Sequence, residues 1–405
     1  MQNDGLTSRK ALVVMLDGLS PAFLGPYGAT WVETPAWNEL AAEGFLFDFA
    51  WTISASLQDI YQGYWQAARY RAGPPGSPLH AAPFHLARCM SEHSVRTVLA
   101  TDEPSLAESG LAQEFEERHF FDVSANRSAA TDCQETAVGQ CLAAAWEIVE
   151  KLLGQAEPFL FWLHLRALLA EWDAPQALRA QLQDEGDPEP AEYLVPPLGE
   201  WPATPDPDTL WTLRAAYAAQ VMAVDAALGI FLQTVQQYAG SDDALLLVVG
   251  APRGYALADH CFVGPEPPRL YSDVLHVPLV VRTPDPETRM GRSPLLVEPA
   301  DVCSALAEWW NPAAQHLSGK GGWCWRIINQ QAGETSMPVI AQGKVDRSVR
   351  TDNWLLRWES ESPQLFVKPS DRYDVNDVAR RCPEEAQQLA ALLLGESPPD
   401  AADLP

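Results

Sequence analysis

The sequence predicts an α/β protein: a doubly wound, mostly parallel sheet with helices on both faces, then a small C-terminal antiparallel sheet with a helix. Two patterns carry this expectation. Residues 10–16, 158–164, 244–249 and 277–281 are short and almost wholly apolar, and they alternate with helical patterns over roughly the first 300 residues. Runs of that kind are strands covered on both faces. From Met337 the texture changes to short alternating runs, the period of half-exposed strands. The expected division is a main domain over 1–320, with a Pro-rich insertion at about 184–208, and a small α+β subdomain over 321–405.

Each element has a local reason. The first strand, 10–16, stops at Asp17-Gly18. Thr34 stands as N-cap and Pro35 in the first position of a helix over 35–43, which Gly44 ends before a strand at 45–50. Residues 57–70 space aromatic and aliphatic side chains as a helix does and halt before the turn cluster Gly73-Pro-Pro-Gly76. A strand at 94–100 and an amphipathic helix at 135–153 precede the strand at 158–164. Seven prolines among acidic residues between Pro188 and Pro207 predict an extended surface loop. A long helix should run from Thr209 to about Tyr238, ending near Gly240, before the strands at 244–249 and 277–281. Runs at 339–341, 347–351, 354–358 and 365–367 predict the small sheet, and 383–394 its helix.

The chain has 405 residues, with 27 Lys+Arg against 54 Asp+Glu, a formal charge of −27. That length allows two or three domains. The shortage of cations argues against a nucleic-acid or anionic-membrane partner, since each phosphate contact needs a Lys or Arg. No apolar run approaches the ~20 residues that span a bilayer, and neither a signal peptide nor a transmembrane segment is visible. Seven scattered cysteines without a C-x-x-C pair suggest neither a zinc knuckle nor a disulfide framework. A cytoplasmic protein is expected.

Several segments, in order, resemble the sulfatase family of the alkaline-phosphatase-like superfamily. Leu12-Val-Val-Met-Leu-Asp17-Gly-Leu is similar to the opening strand that ends in paired metal-binding aspartates. Leu24-Gly-Pro-Tyr-Gly28, Glu33-Thr-Pro35 and Leu40-Ala-Ala-Glu-Gly44 match the stretch that follows it. Ala50-Trp-Thr-Ile-Ser54 resembles the approach to the catalytic cysteine or serine, and 217–226 the helix before the second metal motif. Leu270–Leu279, Ser348–Trp354 and Tyr373–Asp377 look like later family segments. The resemblance implies ester hydrolysis at a divalent cation such as Ca²⁺, which wants 6–8 oxygen ligands, beside an activated nucleophile.

This sequence departs from that pattern at nearly every chemical position. Asp17 is kept, but the second aspartate is Gly18, and Gly250-Ala-Pro-Arg-Gly-Tyr255 puts Pro252 and Arg253 where the later metal ligands belong. Asp17 is the one family metal-ligand position retained. A guanidinium ~4 Å from a cation, at an effective dielectric near 20, costs about 4 kcal/mol for each unit of charge. No cofactor is therefore expected. Arg253 is expected to form an ion pair with Asp17 in place of the metal, against the alternative that the two point apart. After Ser54 the text reads Ala55-Ser-Leu-Gln-Asp-Ile-Tyr61, without the family's cysteine or arginine. Ser56 is a weak nucleophile candidate, as is Ser54; Ser56 can equally cap the helix at 57–70, with Asp59 completing a box-like start. His164 is either a pocket base or a core residue. The family's lysine-and-histidine segments read 100–104 and 166–175 here, without the cationic donors. Asp259-His260 reads as a surface turn. Trp172–Pro175 and Gly321–Trp325 either line a pocket or pack against loops.

The expected function is a catalytically inactive sulfatase-like protein with a binding or regulatory role. A divergent sulfuric or phosphoric ester hydrolase using Ser56 or Ser54 is the alternative, and a structural partner docking by its acidic face the next. A small molecule or a protein is the expected kind of partner; the sequence names neither.

Overall fold

A computed structural model describes residues 9–396 apart from 75, 82, 124–125, 127, 192, 240–243, 312–313, 315–321, 334 and 360–361. Its strands are β1 (Arg9–Leu16), β2 (Phe45–Trp51), β3 (Arg96–Thr101), β4 (Glu117–Phe120), β5 (Phe159–Leu165), β6 (Gly199–Glu200), β7 (Ala244–Gly250), β8 (Ala256–Leu257), β9 (Phe262–Gly264), β10 (His276–Arg282) and β11 (Gly291–Val297), followed by β12 (Val339–Gln342), β13 (Arg347–Arg350), β14 (Trp354–Glu359) and β15 (Ser362–Val367). Eight of them form one sheet in the order β11-β2-β10-β7-β1-β5-β3-β4. β1 lies parallel to both β5 and β7, and β3 parallel to β5 and β4, while β10 runs antiparallel to β7. β12 to β15 form a separate antiparallel sheet, and β6, β9 and β8 a third, small one. The doubly wound, mostly parallel sheet and the C-terminal antiparallel sheet expected from the sequence are both present.

Contacts group the chain into two interleaved units rather than cutting it once near residue 320. One holds Met1–Leu46, Ala87–Pro265 and Val277–Arg292; the other holds Phe47–Leu86, Glu266–His276 and Ser293–Pro405. The second unit recruits its early segment by packing: the Leu57–Gln66 helix lies against the Pro299–Trp310 helix. A Cβ at Gly63 would meet Pro299 Cβ at 2.8 Å, so only glycine permits the approach. Arg69 then pairs with Glu298 at 3.0 Å and Asp301 at 2.6 Å.

In the first unit β1 is buried along Lys10–Leu16, with Leu12 in register with Phe161 on one side and Leu247 on the other. Burial on both faces explains why its sequence is apolar at consecutive positions. The helix expected from Thr209 begins earlier, at Pro207, because Asp206 accepts the Thr209 N–H at 3.0 Å. It runs to Tyr238; the expected stop near Gly240 lies outside the described residues. By length and composition this helix could cross a membrane, yet 78% of the apolar stretch is buried inside the protein. It serves as a core helix.

Two expected helix boundaries are built differently. Thr34 occupies the cap position of the Pro35–Glu43 helix but spends its hydroxyl on the Gly25 N–H; Asp225 of the long helix accepts the Ala36 and Trp37 N–H groups instead. The helix expected over 57–70 ends at Gln66, because Ala67 turns left-handed (φ 51°). The chain after it is held by a bridge to His80 and by the Arg69 ion pairs. Tertiary partners override local helical spacing here.

Candidate functional site

The carboxyl ends of parallel strands are where open α/β sheets place ligands, and β1, β3, β5 and β7 all present charged residues there. Asp17 follows β1. Its N–H donates to Leu165 O at 2.8 Å, and its carbonyl accepts the Leu168 N–H at 3.1 Å, so the strand end is locked to the segment after β5. Arg253, three residues beyond β7, reaches across to it. Arg253 Nε donates to Asp17 Oδ1 at 3.1 Å and Oδ2 at 3.3 Å, and Nη2 to Oδ2 at 3.1 Å. Asp17 is 0% exposed and Arg253 5%. Burial pushes the Asp17 carboxyl above its usual range, opposed by the guanidinium against it and by the Gly18 N–H.

The space a second metal ligand would need is filled. Gly18 has φ +82°, and a Cβ there would lie 2.3 Å from Leu169 Cδ1, 3.1 Å from Leu168 Cβ and 3.5 Å from Tyr255 Cδ2. Its N–H donates to Arg253 O and its carbonyl accepts the Tyr217 hydroxyl at 2.6 Å, while the same hydroxyl accepts the Ser20 N–H at 3.0 Å. Tyr217 packs edge-on to Trp172 and beside Tyr255, forming a fully buried aromatic trio next to the ion pair. Among the described residues no three His, Cys, Asp or Glu side chains form a group able to hold a metal ion. The donor set at this strand end does not suit a divalent cation.

Neighbouring charges are also paired. Asp102, after β3, accepts the Arg166 N–H at 2.8 Å, and the Arg166 guanidinium Nε lies 3.5 Å from it; burial pushes the carboxyl up to about 6. His164, in β5, is 0% exposed, and burial together with Arg253 and Arg166 drives its imidazole down to about 3. His164 thus lies within the buried β5 strand, without solvent contact. The Pro-rich loop is tied down rather than solvated throughout: Leu194 O accepts the Trp172 N–H at 2.8 Å and Pro197 O the Tyr255 hydroxyl at 2.8 Å. The Trp172 ring itself packs against Tyr217 and Tyr255, with its indole N–H on Leu168 O at 2.8 Å. Asp259 lies in the turn between β8 and β9, where it pairs with Arg214 at 2.6 Å.

The serine candidates belong to the second unit. Ser54, 3% exposed, donates its hydroxyl to Asp59 Oδ2 at 3.1 Å and accepts the Ser56 N–H at 3.1 Å; Tyr70 donates to the same carboxylate oxygen at 3.0 Å. Ser56 stands at the cap position, but its side chain makes no capping hydrogen bond. The box-like start expected of Ser56 and Asp59 is replaced because Asp59 is taken by Ser54 and Tyr70. Of the Gly321–Trp325 cluster, Gly321 lies outside the described residues; Trp323 is buried with its indole N–H on Leu296 O, and Trp325 stacks on Trp309. The residues missed from sequence are Leu168, Leu169, Tyr217 and Tyr255. Their one readable signal was Gly18, whose missing side chain leaves room for them.

Comparison with known proteins agrees with this fold. The chain matches the sulfatase family over residues 9–311 and belongs to that family. It is similar in structure to the phosphonate monoester hydrolase of Agrobacterium radiobacter, with 16% identity, 96% of this chain and 94% of that one covered, and a TM-score of 0.69. The phosphonate monoester hydrolase from Silicibacter pomeroyi compares at 17% identity, 95% and 93% coverage and a TM-score of 0.69. A protein solved in complex with its substrate D-glucosamine-2-N,6-O-disulfate compares at 13% identity, 95% and 97% coverage and a TM-score of 0.69. None of the curated proteins compared with the chain matches it.

Proposed function

We propose that this sulfatase-family chain is a non-catalytic member with a binding or regulatory role, and that no divalent cation sits at its strand-end site. The observation that supports this reading most is the Asp17–Arg253 pair, which engages both oxygens of the single retained ligand carboxylate. Metal-assisted ester hydrolysis needs several oxygens converging on one cation, and a fixed guanidinium opposes that cation electrostatically. The left-handed backbone at Gly18 (φ +82°) and the side chains beside it further disfavour a carboxylate at that position. Because both partners of the pair are buried, the binding role falls to other surfaces of the molecule.

A second reading, a divergent ester hydrolase, draws on one observation: the Ser54 hydroxyl donates to the Asp59 carboxylate, an arrangement in which a base adjoins a nucleophile. One experiment separates the two. Elemental analysis of the purified chain, with turnover of an aryl sulfate and an aryl phosphate with and without added Ca²⁺, is expected to give substoichiometric metal and no hydrolysis. Stoichiometric Ca²⁺, or turnover abolished by Ser54→Ala or Ser56→Ala, would establish the hydrolase instead.

A further inference from the structure

The second unit buries an arginine whose Nε and Nη1 have no hydrogen-bond partner among the described residues. Arg350 closes β13, where the period of two places it and Ser348 on the face opposite Val349. Val349 packs into the core formed with Leu356, Leu365 and the Pro383–Leu394 helix. On the other face Arg350 is 1% exposed, its Cζ 5.4 Å from the Phe49 ring centroid and 5.5 Å from that of Trp51. Among the described residues neither Nε nor Nη1 has an acceptor, and the buried Ser348 hydroxyl has no partner either. The other buried arginines of this unit differ. Arg347 donates to the Arg71 and Pro74 carbonyls, and Arg357 to Asp346, Glu359 and Gln364.

Asp352 and Asp374 act on Arg350 from a distance without a hydrogen bond to it, and Asp352 Oδ1 has no partner among the described residues. Asp374 takes Lys368 and both the N–H and hydroxyl of Ser272; Asp352 Oδ2 takes the Ser336 N–H. Burial lowers Arg350 to about 10, still a cation at neutral pH. Aromatic walls stabilise a guanidinium but offer it no acceptor. His276, stacked on Trp51 at 5.9 Å, is depressed first by burial and then by Arg372, Arg350 and Lys368 together. A buried charge without a partner is costly, and the planar fork of arginine matches sulfate and phosphate oxygens.

We propose that Arg350, walled by Phe49 and Trp51, is the receptor for a compact tetrahedral oxyanion, either a free sulfate or phosphate or the same group carried on an ester. Trp51 is buried whereas Phe49 is half-buried, so the anion enters past the Phe49 ring. This site is independent of the strand-end ion pair and of whether the chain hydrolyses anything.

Calorimetric titration of the full chain with sodium sulfate, sodium phosphate and an aryl sulfate, at constant ionic strength in chloride, tests it. Saturable one-to-one binding is expected for at least one of the three, and the one that binds identifies the source. Arg350→Met should weaken it roughly ten- to a hundredfold, the usual loss of a charged hydrogen bond, while Arg269→Met, at an exposed ion pair, leaves it unchanged. No saturable heat with any of the three, or undiminished binding by Arg350→Met, overturns the proposal. Should Arg350→Met not fold, selenate soaked into crystals of the unsubstituted chain decides. Selenium beside the Arg350 guanidinium supports the site; selenium only at exposed lysines, an adventitious ion only, or at no site at all refutes it.

Discussion

Arg253 and Arg350 are both guanidinium groups nearly without solvent contact, 5% and 1% exposed, one in each unit of the molecule. Arg253 meets a carboxylate edge-on through Nε and Nη2; Arg350 meets two aromatic faces and no oxygen. The difference teaches that burial of a cation has two outcomes set by its neighbours. Where a buried carboxylate faces it, the guanidinium pairs with both of its oxygens. Where the nearby carboxylates make no hydrogen bond to it, the arginine stays charged between aromatic rings. Each unit also sets a histidine close to its arginine, His164 beside Arg253 and His276 beside Arg350, and burial drives both down to about 3.

The largest expected effect is on acid stability. Each histidine has a folded pKa of about 3 against an ordinary 6.5, so between those values the unfolded chain binds more protons. Stability is intact above pH 6.5 and falls as the pH is lowered towards 3, by several kcal/mol. Asp102 and Asp225, both raised to about 6, act the opposite way from about 4 to 6 and blunt the fall. Urea denaturation at a series of pH values should show the loss, and His164→Gln should flatten it; parallel curves would remove His164 from the comparison.

Next in size is Arg253→Met, expected to cost about 3–5 kcal/mol by stranding Asp17 without its partner. Asp17→Leu combined with Arg253→Met should recover most of that, since apolar replacement of a buried pair is often near neutral. Denaturation midpoints of the two variants check this. The smallest expected change is Arg350→Met in oxyanion-free buffer, within about 1 kcal/mol of the unsubstituted chain, because lost cation–π contact offsets the relieved burial of unpaired N–H groups. A penalty as large as that of Arg253→Met would mean that Arg350 has a structural partner, and the contrast between the two would dissolve.

Particular residues show how far the sequence was legible. The apolar runs at β1, β5 and β7 need no partner to be read as strands, because burial on both faces leaves its record in consecutive residues. Asp17, Gly18 and Arg253 stood out because ordered family segments aligned them, and the structure places Asp17 and Arg253 in contact. Ser56 read correctly as a cap position and wrongly as a side-chain cap, since the hydroxyl of Ser54 and the phenol of Tyr70 compete for Asp59 from outside the helix. Arg350 lies within the family-like segment Ser348–Trp354, where nothing in its neighbours marks it as buried. A charged residue in an alternating strand looks solvated until its covering rings, 299 and 301 positions earlier in the chain, are known.

The amino-acid order alone therefore determined the sheet-and-helix alternation, the change of texture after Met337 and the chemical poverty of the strand-end site, because periodicity and residue type are local properties. Only the tertiary structure decided which carboxylates remain available to which cations, what fills the space beside Gly18, and how segments distant in the chain assemble into two units. Those outcomes depend on desolvation and contact between residues hundreds of positions apart, and neither is written into any stretch of neighbouring residues.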